Sequence, residues 1–324
     1  MGFPLSTLLQ VQNLTVNFRL SQGTLSAVNG VTFSLDRGET LAIVGESGCG
    51  KSVTAYSIMG LVRPPGKIVA GEVIFDGINL LGLDEKEMRE IRGDRIAMIF
   101  QEPMTSLNPV FSIGNQITEG LLLHRGLSRN EARETGISLL EQVGIASAST
   151  RFDEYPHQMS GGMRQRVMIA MAIACNPQLL IADEPTTALD VTIQAQILEL
   201  MDHLKSEHHM GLILITHDLG VVAERSYRTA VMYAGKIVEY GPTEEIFRSA
   251  GHPYTEALLK ALPAEAMHGK PLQTIPGFLP DLMAPQVGCG FCNRCMDKTR
   301  HCETSEPEMK EISKGHFVRC WKVQ

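Results

Sequence analysis

The sequence predicts an α/β protein built on a mainly parallel β-sheet. Short apolar strands alternate with helical segments through most of the 324 residues. This order is typical of a parallel sheet with helices packed against it. A glycine-rich loop joins the apolar strand Thr40–Val44 to a helical segment, Lys51–Leu61, and a second apolar strand, Leu179–Ala182, ends directly in two acidic residues. These three observations define the predicted fold class.

The other elements follow from local patterns along the chain. Residues 8–35 alternate between apolar and polar side chains and predict short strands. Asp76-Gly77 lies between two strand-like runs and predicts a hairpin turn. Residues 102–177 are mostly helical in pattern and predict a helical subdomain. The remaining predicted elements are the strand Ile96–Phe100, the helices Glu131–Val143, Met163–Ala174 and Thr192–Ser206, and the strand Leu212–Thr216.

Composition excludes several classes of protein. Hydrophobic residues make up 44% of the chain and charged residues 20%, so the chain can form a packed core. The net charge of −7 argues against a nucleic-acid partner, which would favour a basic surface. No apolar run approaches the roughly 18 residues of a membrane span. The segment Met1–Gln10 lacks the basic and apolar regions of a signal peptide, so we expect a cytoplasmic protein.

The composition changes beyond about Pro263, which divides the predicted chain into residues 1–263 and an extension, residues 264–324. Five prolines between Pro263 and Pro285 exclude a long helix and predict a linker. Five of the 7 cysteines lie beyond residue 288. In a reducing compartment such a cluster indicates a metal site more readily than disulfides.

A phosphate-binding loop is predicted where strand Thr40–Val44 meets the following helix. The segment Gly45–Ser52 fits the pattern G-x-x-x-x-G-K-[ST] in full, in the strand–loop–helix context that supports the motif. Glycines let backbone N–H groups converge on phosphate oxygens, and the helix N-terminus attracts anions. The residues predicted to contact the nucleotide here are Gly45, Glu46, Ser47, Gly48, Cys49, Gly50, Lys51, Ser52 and Val53.

The acidic end of the strand Leu179–Ala182 predicts a second part of the site. Asp183 follows the apolar run directly and can hold Mg²⁺, together with the Ser52 hydroxyl of the phosphate-binding loop. Glu184 is placed to orient or deprotonate an attacking water. The two motifs together predict hydrolysis of a nucleoside triphosphate.

A third motif brings a family resemblance. The segment Met159–Met163 reads M-S-G-G-M and, together with the two motifs above, resembles the signature L-S-G-G-Q of ABC-type ATPases. Two positions depart from the signature, and Met163 in place of glutamine removes a polar side chain. Ser160, Gly161 and Gly162 keep the anion-binding chemistry at the start of a helix.

The resemblance spans roughly residues 8–263 and assigns further roles by position. It implies an ABC-type P-loop NTPase core with an antiparallel β subdomain and a helical subdomain. Gln101 resembles the Q-loop residue that touches Mg²⁺, Ala188–Asp190 resembles the D-loop, and Phe18 lies where the family stacks an aromatic ring on adenine. His217 resembles the switch histidine that contacts the γ-phosphate. The catalytic residues so implied are Lys51, Glu184 and His217.

Two further segments resemble one subfamily. The segments Gln101–Pro109 and His252–Pro263 are similar to those in ATP-binding subunits of dipeptide, oligopeptide and nickel uptake permeases. The resemblance implies an importer subunit that binds ATP and Mg²⁺. An ABC-type ATPase acting on DNA or ribosomes, and a metal or redox sensor that binds ATP, are the alternative functions. The transported solute stays open.

The resemblance also implies partners. Ser160–Gly162 of one ATPase subunit would face the phosphate-binding loop of a second, and we expect a homologous but different subunit, with a homodimer as the alternative. Two membrane-spanning permease subunits would dock near Gln101 and Met104–Pro109. An extracytoplasmic solute-binding protein would deliver cargo. The expected location is therefore the cytoplasmic face of the cell's inner membrane.

The cysteine-rich extension resembles that of the same subfamily, in which a [4Fe–4S] cluster is implied. The corresponding ligands are Cys289, Cys295, Cys302 and Cys320, with Cys292 as an unexpected fifth thiol. Thiolates also suit tetrahedral zinc, which is the lesser alternative. Because Cys292 allows a different choice of four ligands, the set is not decided by spacing alone.

Overall fold

The computed structural model describes residues 7–101, 106–187, 189–261, 274–283 and 286–324. Three predicted features lie partly outside the described residues: the linker at residues 264–273 and 284–285, the permease contact at Met104 and Thr105, and the D-loop at Ala188. The strands, in chain order, are β1 Thr7–Leu20, β2 Gly23–Asp36, β3 Thr40–Val44, β4 Gly66–Phe75, β5 Ile78–Asn79, β6 Ile96–Ile99, β7 Leu179–Asp183, β8 Gly211–Ile215, β9 Arg228–Tyr233, β10 Lys236–Pro242, β11 Lys310–Ser313 and β12 His316–Val318.

The α-helices range from 4 to 18 residues in length. They are α1 Lys51–Ile58, α2 Glu85–Ile91, α3 Ile113–His124, α4 Arg129–Gln142, α5 Ala148–Arg151, α6 Gly161–Ile173, α7 Val191–His208, α8 Leu219–Arg225, α9 Thr243–Arg248, α10 Pro253–Lys260 and α11 Arg300–Thr304. Within the described ranges, none of these helices is long and apolar enough to cross a lipid bilayer.

The chain forms two compact units. The first unit comprises residues 36–38 and 82–213, and the second comprises residues 7–35, 39–81 and 214–324. The cysteine-rich extension therefore lies in the same unit as the phosphate-binding loop. The chain passes from the first unit to the second within β8, between Ile213 and Leu214.

One sheet of the second unit has the strand order β2-β1-β4-β5. Strand β1 pairs with β4 in antiparallel fashion, and Phe18 lies opposite Gly66. Strands β4 and β5 form the hairpin predicted at Asp76-Gly77, where both residues have positive φ, 49° and 81°. Such a turn matches the twist of the flanking strands, so the dipeptide predicted it correctly.

The second unit also contains the strand order β11-β12-β10-β9-β3. Strand β3 is parallel to β9, whereas β9, β10, β12 and β11 pair successively in antiparallel fashion. The sheet is therefore mixed rather than mainly parallel at this edge. The antiparallel strands β9 to β12 were not predicted from the sequence, and the last two of them come from the extension.

An aromatic cluster anchors the extension in the second unit. Tyr233 of β9, Tyr254 of α10 and Phe291 of the extension are all buried. The ring centroids lie 4.6 Å apart for Tyr233 and Tyr254, 5.2 Å for Tyr233 and Phe291, and 5.4 Å for Tyr254 and Phe291. Pairs at such distances add about 1 kcal/mol each to the free energy gained from burial. This aromatic cluster joins the sheet, α10 and the extension into one core.

The first unit combines a parallel strand pair with helices. Strand β6 is parallel to β7, and helices α3, α4 and α6 contact one another. Serine caps explain where α3 and α4 begin: Ser112 accepts a hydrogen bond from Asn115, and Ser128 forms a capping box with Glu131. Helices α3 to α6 thus lie within residues 102–177, where the sequence pattern predicts helices, and the division of these residues into a subdomain stays a prediction.

A buried carboxylate ties the extension to β10. Glu239 is fully buried and accepts hydrogen bonds from the backbone N–H groups of Gly251 (2.7 Å) and His252 (3.0 Å). Its Oε1 also lies 2.7 Å from Nε2 of His316, a buried residue of β12. Burying a carboxylate is costly unless such partners compensate for the lost water. Glu239 therefore fixes β12 and the start of α10 together.

We expect Glu239→Ala to lower the free energy of unfolding by about 3 kcal/mol, because two buried groups and one partly buried N–H group lose their acceptor. Urea unfolding measured by circular dichroism tests this. Glu311→Ala is the matched control, since Glu311 lies on the exposed strand β11 of the same extension and should change stability by less than about 0.5 kcal/mol. Equal stability of the two variants would contradict the role assigned to Glu239.

Candidate functional site

The phosphate-binding loop is pressed closely against neighbouring backbone. Gly45 has a φ of 149°, and a Cβ at this position would lie 2.2 Å from the carbonyl oxygen of Met232. Gly50 has a φ of 107°, and its Cβ would lie 2.4 Å from the carbonyl oxygen of Ala27. A residue with a side chain at either position would strain the backbone at this positive φ and would collide with the neighbouring carbonyl oxygen, so only glycine fits. The two glycines therefore let the loop follow a tight path between β3 and α1.

Lys51 lies across this loop. Its Nζ donates hydrogen bonds to the carbonyl oxygens of Gly45 at 2.9 Å and Glu46 at 3.1 Å. No side chain caps α1, whose N-cap is Gly50 in the left-handed region. The first N–H groups of a helix need partners that lie outside the helix, and an anion can supply them. The loop, the lysine and the helix start thus fit the phosphates of a nucleotide.

The side chains within the loop differ in their surroundings. Ser47 and Gly48 are exposed, whereas Cys49 is buried, and burial raises the pKa of its thiol. Cys49 therefore stays protonated and acts as a small packing residue. Ser52 and Val53, in the first turn of α1, are partly exposed.

Glu46 is held by residues from outside the loop. Its backbone N–H donates to the Tyr254 hydroxyl at 2.9 Å. Its carboxylate accepts two hydrogen bonds from the guanidinium of Arg294, at 2.7 Å and 2.8 Å. Burial raises the pKa of Tyr254, so its hydroxyl stays protonated. The extension thus contacts the phosphate-binding loop directly.

Two further predicted nucleotide contacts lie in the second unit. Phe18 of β1 is partly buried, with its ring where a side chain on Gly66 would otherwise be. His217 is exposed and follows β8, next to Asp218, which caps α8. The Phe18 side chain is therefore partly accessible to solvent, and the His217 side chain is exposed to it.

The first unit brings Gln101 and Glu184 together. Nε2 of Gln101 donates to Oε2 of Glu184 at 3.1 Å, and the Thr187 hydroxyl donates to the same oxygen at 2.8 Å. Glu184 has a φ of 48°, a conformation that is uncommon for residues other than glycine. Asp183, the last residue of β7, is fully buried. Strand β7 therefore places the two acids predicted from the sequence at its carboxyl end.

The signature segment also lies in the first unit. Ser160 caps α6 by accepting a hydrogen bond from the N–H of Met163, and Gly161 and Gly162 form the first turn. A Cβ on Gly162 would lie 3.2 Å from Ile193 of α7, so the two helices approach closely there. Asp190 caps α7 through the N–H of Ile193. Ser160 and Asp190 thus both have a structural role as caps.

The cysteine cluster surrounds a small cavity of about 60 Å³. All five of its cysteines are free thiols, and all five line this cavity. Other walls come from His252, Phe291 and Trp321. Across the described ranges, no three or more His, Cys, Asp or Glu side chains form a group that could hold a metal ion. The predicted metal site therefore lacks support from ligand geometry and stays a prediction.

Burial raises the pKa of several thiols in the cysteine cluster. The pKa of Cys289 is raised to about 11, mainly by burial and also by the nearby Cys302, Cys320 and Cys295. Burial likewise raises the pKa of Cys292, Cys295 and Cys320. Without a bound metal these thiols therefore stay protonated.

Sequence reasoning missed Arg294 and Tyr254. Tyr254 lies within the subfamily segment His252–Pro263, but its hydrogen bond to the loop has no local signal. Arg294 lies between Cys292 and Cys295, and a basic residue inside a cysteine cluster is a weak indication of a role. Its partner Glu46 is 248 positions away, so no spacing argument could pair them.

A strand, a glycine-rich loop that ends in Lys-Ser and an uncapped helix define this site as that of a P-loop nucleotide-binding protein. The family model described as "ABC transporter" matches residues 28–187, and the model described as "Oligopeptide/dipeptide transporter, C-terminal region" matches residues 238–302. The chain belongs to the ABC transporter family of ATP-binding proteins. It is accordingly an ATPase whose hydrolysis of ATP is coupled to transport.

Curated relatives match nearly the whole chain. The dipeptide transport ATP-binding protein DppD of Bacillus subtilis is 52% identical over 97% of this chain and 94% of that protein. The oligopeptide transport ATP-binding protein OppD of the same organism is 52% identical over 97% of this chain and 88% of that protein. DppD of Escherichia coli is 49% identical over 97% of this chain and 96% of that protein.

Solved structures match the ATPase part. The dimeric ATP-binding cassette MJ0796 in a post-hydrolysis state, bound to ADP and phosphate, has a TM-score of 0.66 and 29% identity. It covers 73% of this chain and 99% of its own. The cbiO1 protein of Clostridium perfringens, part of the ABC transporter complex cbiONQ, has a TM-score of 0.63 and 29% identity. The match covers 75% of this chain and 91% of cbiO1. These similarities confirm the predicted ABC ATPase fold.

We expect Glu184→Gln to bind ATP with nearly unchanged affinity and to hydrolyse it on the order of 10²-fold more slowly, because an amide cannot accept the proton of the attacking water. Steady-state phosphate release and equilibrium ATP binding measure the two effects. Glu207→Gln is the matched control, since Glu207 is an exposed carboxylate of α7 that bonds Gln142 in the same unit. Near-normal turnover of Glu184→Gln would remove Glu184 from the mechanism.

Proposed function

We propose that this chain is the ATP-binding and ATP-hydrolysing subunit of an importer for dipeptides or oligopeptides. The observation that carries the proposal is the match of residues 238–302 to the oligopeptide/dipeptide C-terminal region, beyond the ATPase core. Relatives named as peptide transport ATP-binding proteins support the same solute class. The proposed location is the cytoplasmic face of the inner membrane, where the subunit would be held by membrane-spanning partners.

The proposed chemistry is in-line attack of water on the γ-phosphate. Lys51 and the N–H groups at the start of α1 would neutralise the phosphate charge, and such positioning and electrostatics supply most of the acceleration of phosphoryl transfer. Glu184, oriented by Gln101 and Thr187, would polarise the water. His217 would hold the γ-phosphate.

Nucleotide and metal contacts complete the proposed site. Ser52, Gln101 and Asp183 would hold Mg²⁺, which supplies charge neutralisation to the bound triphosphate. Phe18 would stack on the adenine base. The remaining members of the phosphate-binding loop would donate their backbone N–H groups.

The proposed partners include a second ATPase subunit. Ser160, Gly161 and Gly162 of one subunit would face the phosphate-binding loop of the other, with Asp190 nearby, so that ATP closes the dimer. The dimeric state of the similar cassette MJ0796 supports this arrangement. We propose that the second subunit is homologous but different, as the methionines of the M-S-G-G-M signature and the extension suggest.

A surface of the first unit supports docking of membrane-spanning subunits. A cavity of about 510 Å³ is lined by residues of α3 and α4, among them Gln116 and Leu122, and by Phe111, which precedes α3. Val110 and Phe111 are 71% and 51% exposed, which is unusual for apolar side chains of this size. Exposed apolar residues beside a cavity are typical of a protein-binding surface. They adjoin Asn108 and Pro109 of the segment predicted to contact the permease.

We expect a complex purified through a tag on this chain from its native membrane to contain a different ATPase subunit and two membrane-spanning subunits, identified by mass spectrometry. Its ATPase activity should rise with a dipeptide-loaded solute-binding protein and stay unchanged with nickel. The membrane fraction of cells lacking the permease genes is the control, since this chain should then leave the membrane.

Two outcomes would contradict parts of this proposal separately. Recovery of only two identical ATPase chains would reject the heterodimer. Stimulation by nickel instead of dipeptide would reject the solute class while leaving the importer function intact.

We also propose a [4Fe–4S] cluster in the extension, with zinc as the lesser alternative. The donor chemistry suits such a group, because five free thiols line one cavity, although the described side chains form no preformed metal-binding group. Cys289, Cys295, Cys302 and Cys320 would hold it. The cluster would stabilise the extension by joining four of its side chains.

After anaerobic purification, we expect visible absorption and the presence of iron and sulfide. Single Cys→Ser changes at the four proposed ligands should lose iron, because each removes one thiolate. Cys292→Ser is the matched control and should retain iron, since Cys292 lines the same cavity but lies outside the proposed set of ligands. A colourless protein that holds one zinc ion would reject the cluster.

A further inference from the structure

We infer that Arg294 of the cysteine-rich extension is a positioning residue of the nucleotide site, which acts by neutralising and orienting Glu46 of the phosphate-binding loop. The inference rests on the proposal that residues 45–52 bind the phosphates of ATP. Nothing in the ATPase core itself pairs with the Glu46 carboxylate among the contacts described, so the extension supplies this partner.

The ion pair has the geometry of a strong, specific contact. The two guanidinium nitrogens of Arg294 donate to the two carboxylate oxygens of Glu46, at 2.7 Å and 2.8 Å. The Arg294 side chain is 6% exposed and that of Glu46 is 27% exposed. Bidentate pairs fix orientation as well as distance, and low exposure limits their screening by solvent.

Arg294 is itself held by groups other than Glu46. Its Nε donates to the carbonyl oxygen of Pro276 at 2.8 Å, and its Nη2 donates to that of Ile275 at 3.3 Å. Its Nη1 lies 3.3 Å from the Tyr233 hydroxyl. The guanidinium also lies 5.8 Å from the ring centroid of Tyr233. The arginine is therefore pre-oriented toward the loop.

Glu46 is a sensitive point of the loop for two reasons. Its carbonyl oxygen accepts a hydrogen bond from Lys51, the residue proposed to reach the phosphates, so its position affects that amine. Its carboxylate is a negative charge on a loop built to receive an anion, and like charges repel. When Arg294 neutralises this carboxylate, the loop can accept a polyphosphate at lower cost.

The experiment compares Arg294→Gln, Glu46→Gln and the double variant in the full-length, anaerobically purified chain. Equilibrium binding of ATP is measured with Mg²⁺, and KM and kcat are measured in parallel. Arg294→Gln should weaken ATP binding about tenfold or more and raise KM, with kcat within about twofold, because the loss affects binding rather than chemistry. The double variant should recover to within about threefold of the parent, because the repelling charge is gone.

Recovery in the double variant distinguishes charge pairing from a merely structural role, since a second substitution would not repair a distorted loop. Arg294→Lys keeps the charge without the bidentate contact and should fall between the parent and Arg294→Gln. Should Arg294→Gln fail to fold, Arg294→Lys and the double variant carry the test. The matched control is Arg319→Gln, since Arg319 is an arginine of the extension that bonds Ile237 and Glu306 instead.

Unchanged ATP binding by Arg294→Gln, or a double variant as weak as Arg294→Gln, would overturn the inference. Lys51→Ala is measured in the same assay to keep the two proposals apart. Normal ATP binding by Lys51→Ala would reject the proposed phosphate site itself. Loss of binding in Lys51→Ala together with normal binding in Arg294→Gln would reject only the role of Arg294.

Discussion

The packing of Tyr233, Tyr254 and Phe291 connects the sheet, the phosphate-binding loop and the extension. Each ring is buried, and the two tyrosine hydroxyl groups form hydrogen bonds while the rings pack together. The Tyr254 hydroxyl accepts a hydrogen bond from the backbone N–H of Glu46, and the Tyr233 hydroxyl accepts one from the guanidinium of Arg294. Aromatic residues supply a large buried area at the cost of few rotatable bonds, which suits a contact that must hold a loop in place. The shape of the loop therefore depends on residues far from it in sequence.

Two carboxylates, the fully buried Glu239 and the partly buried Glu46, bind the extension to the rest of the second unit. Both residues precede the extension in sequence. Glu239 is hydrogen-bonded to His316 of the extension, and the Glu46 carboxylate accepts a hydrogen bond from Arg294 of the extension. Removing one partner of a buried charge leaves the other without compensation, so both contacts favour a folded extension. The composition change near Pro263 predicted a boundary, yet the described extension lies in the same compact unit as the phosphate-binding loop.

The sequence predicted those features that depend on neighbouring residues. The pattern of Gly45–Ser52 predicted a strand, a loop and a helix, and Asp76-Gly77 predicted a hairpin, because both are determined by local backbone requirements. Strands β11 and β12 were missed because they are short, with 4 and 3 residues, and because β12 joins the sheet through β10, which is distant in sequence. The pair of Arg294 and Glu46 was missed for the same reason. The roles of Phe18 and His217 came from family resemblance and stay predictions.

Phe291 is common to the cysteine-lined cavity and to the aromatic cluster beside the phosphate-binding loop. Phe291 belongs to the aromatic cluster and also lines the cavity, and its ring lies 5.8 Å from that of His252, another cavity residue. Arg294 ends the short turn that begins at Cys292, between two cysteines of the cavity. Because a packed wall transmits displacement rather than absorbing it, a change in the packing of the cavity would move the same residues that hold Glu46. The extension and the nucleotide loop are therefore linked by shared side chains.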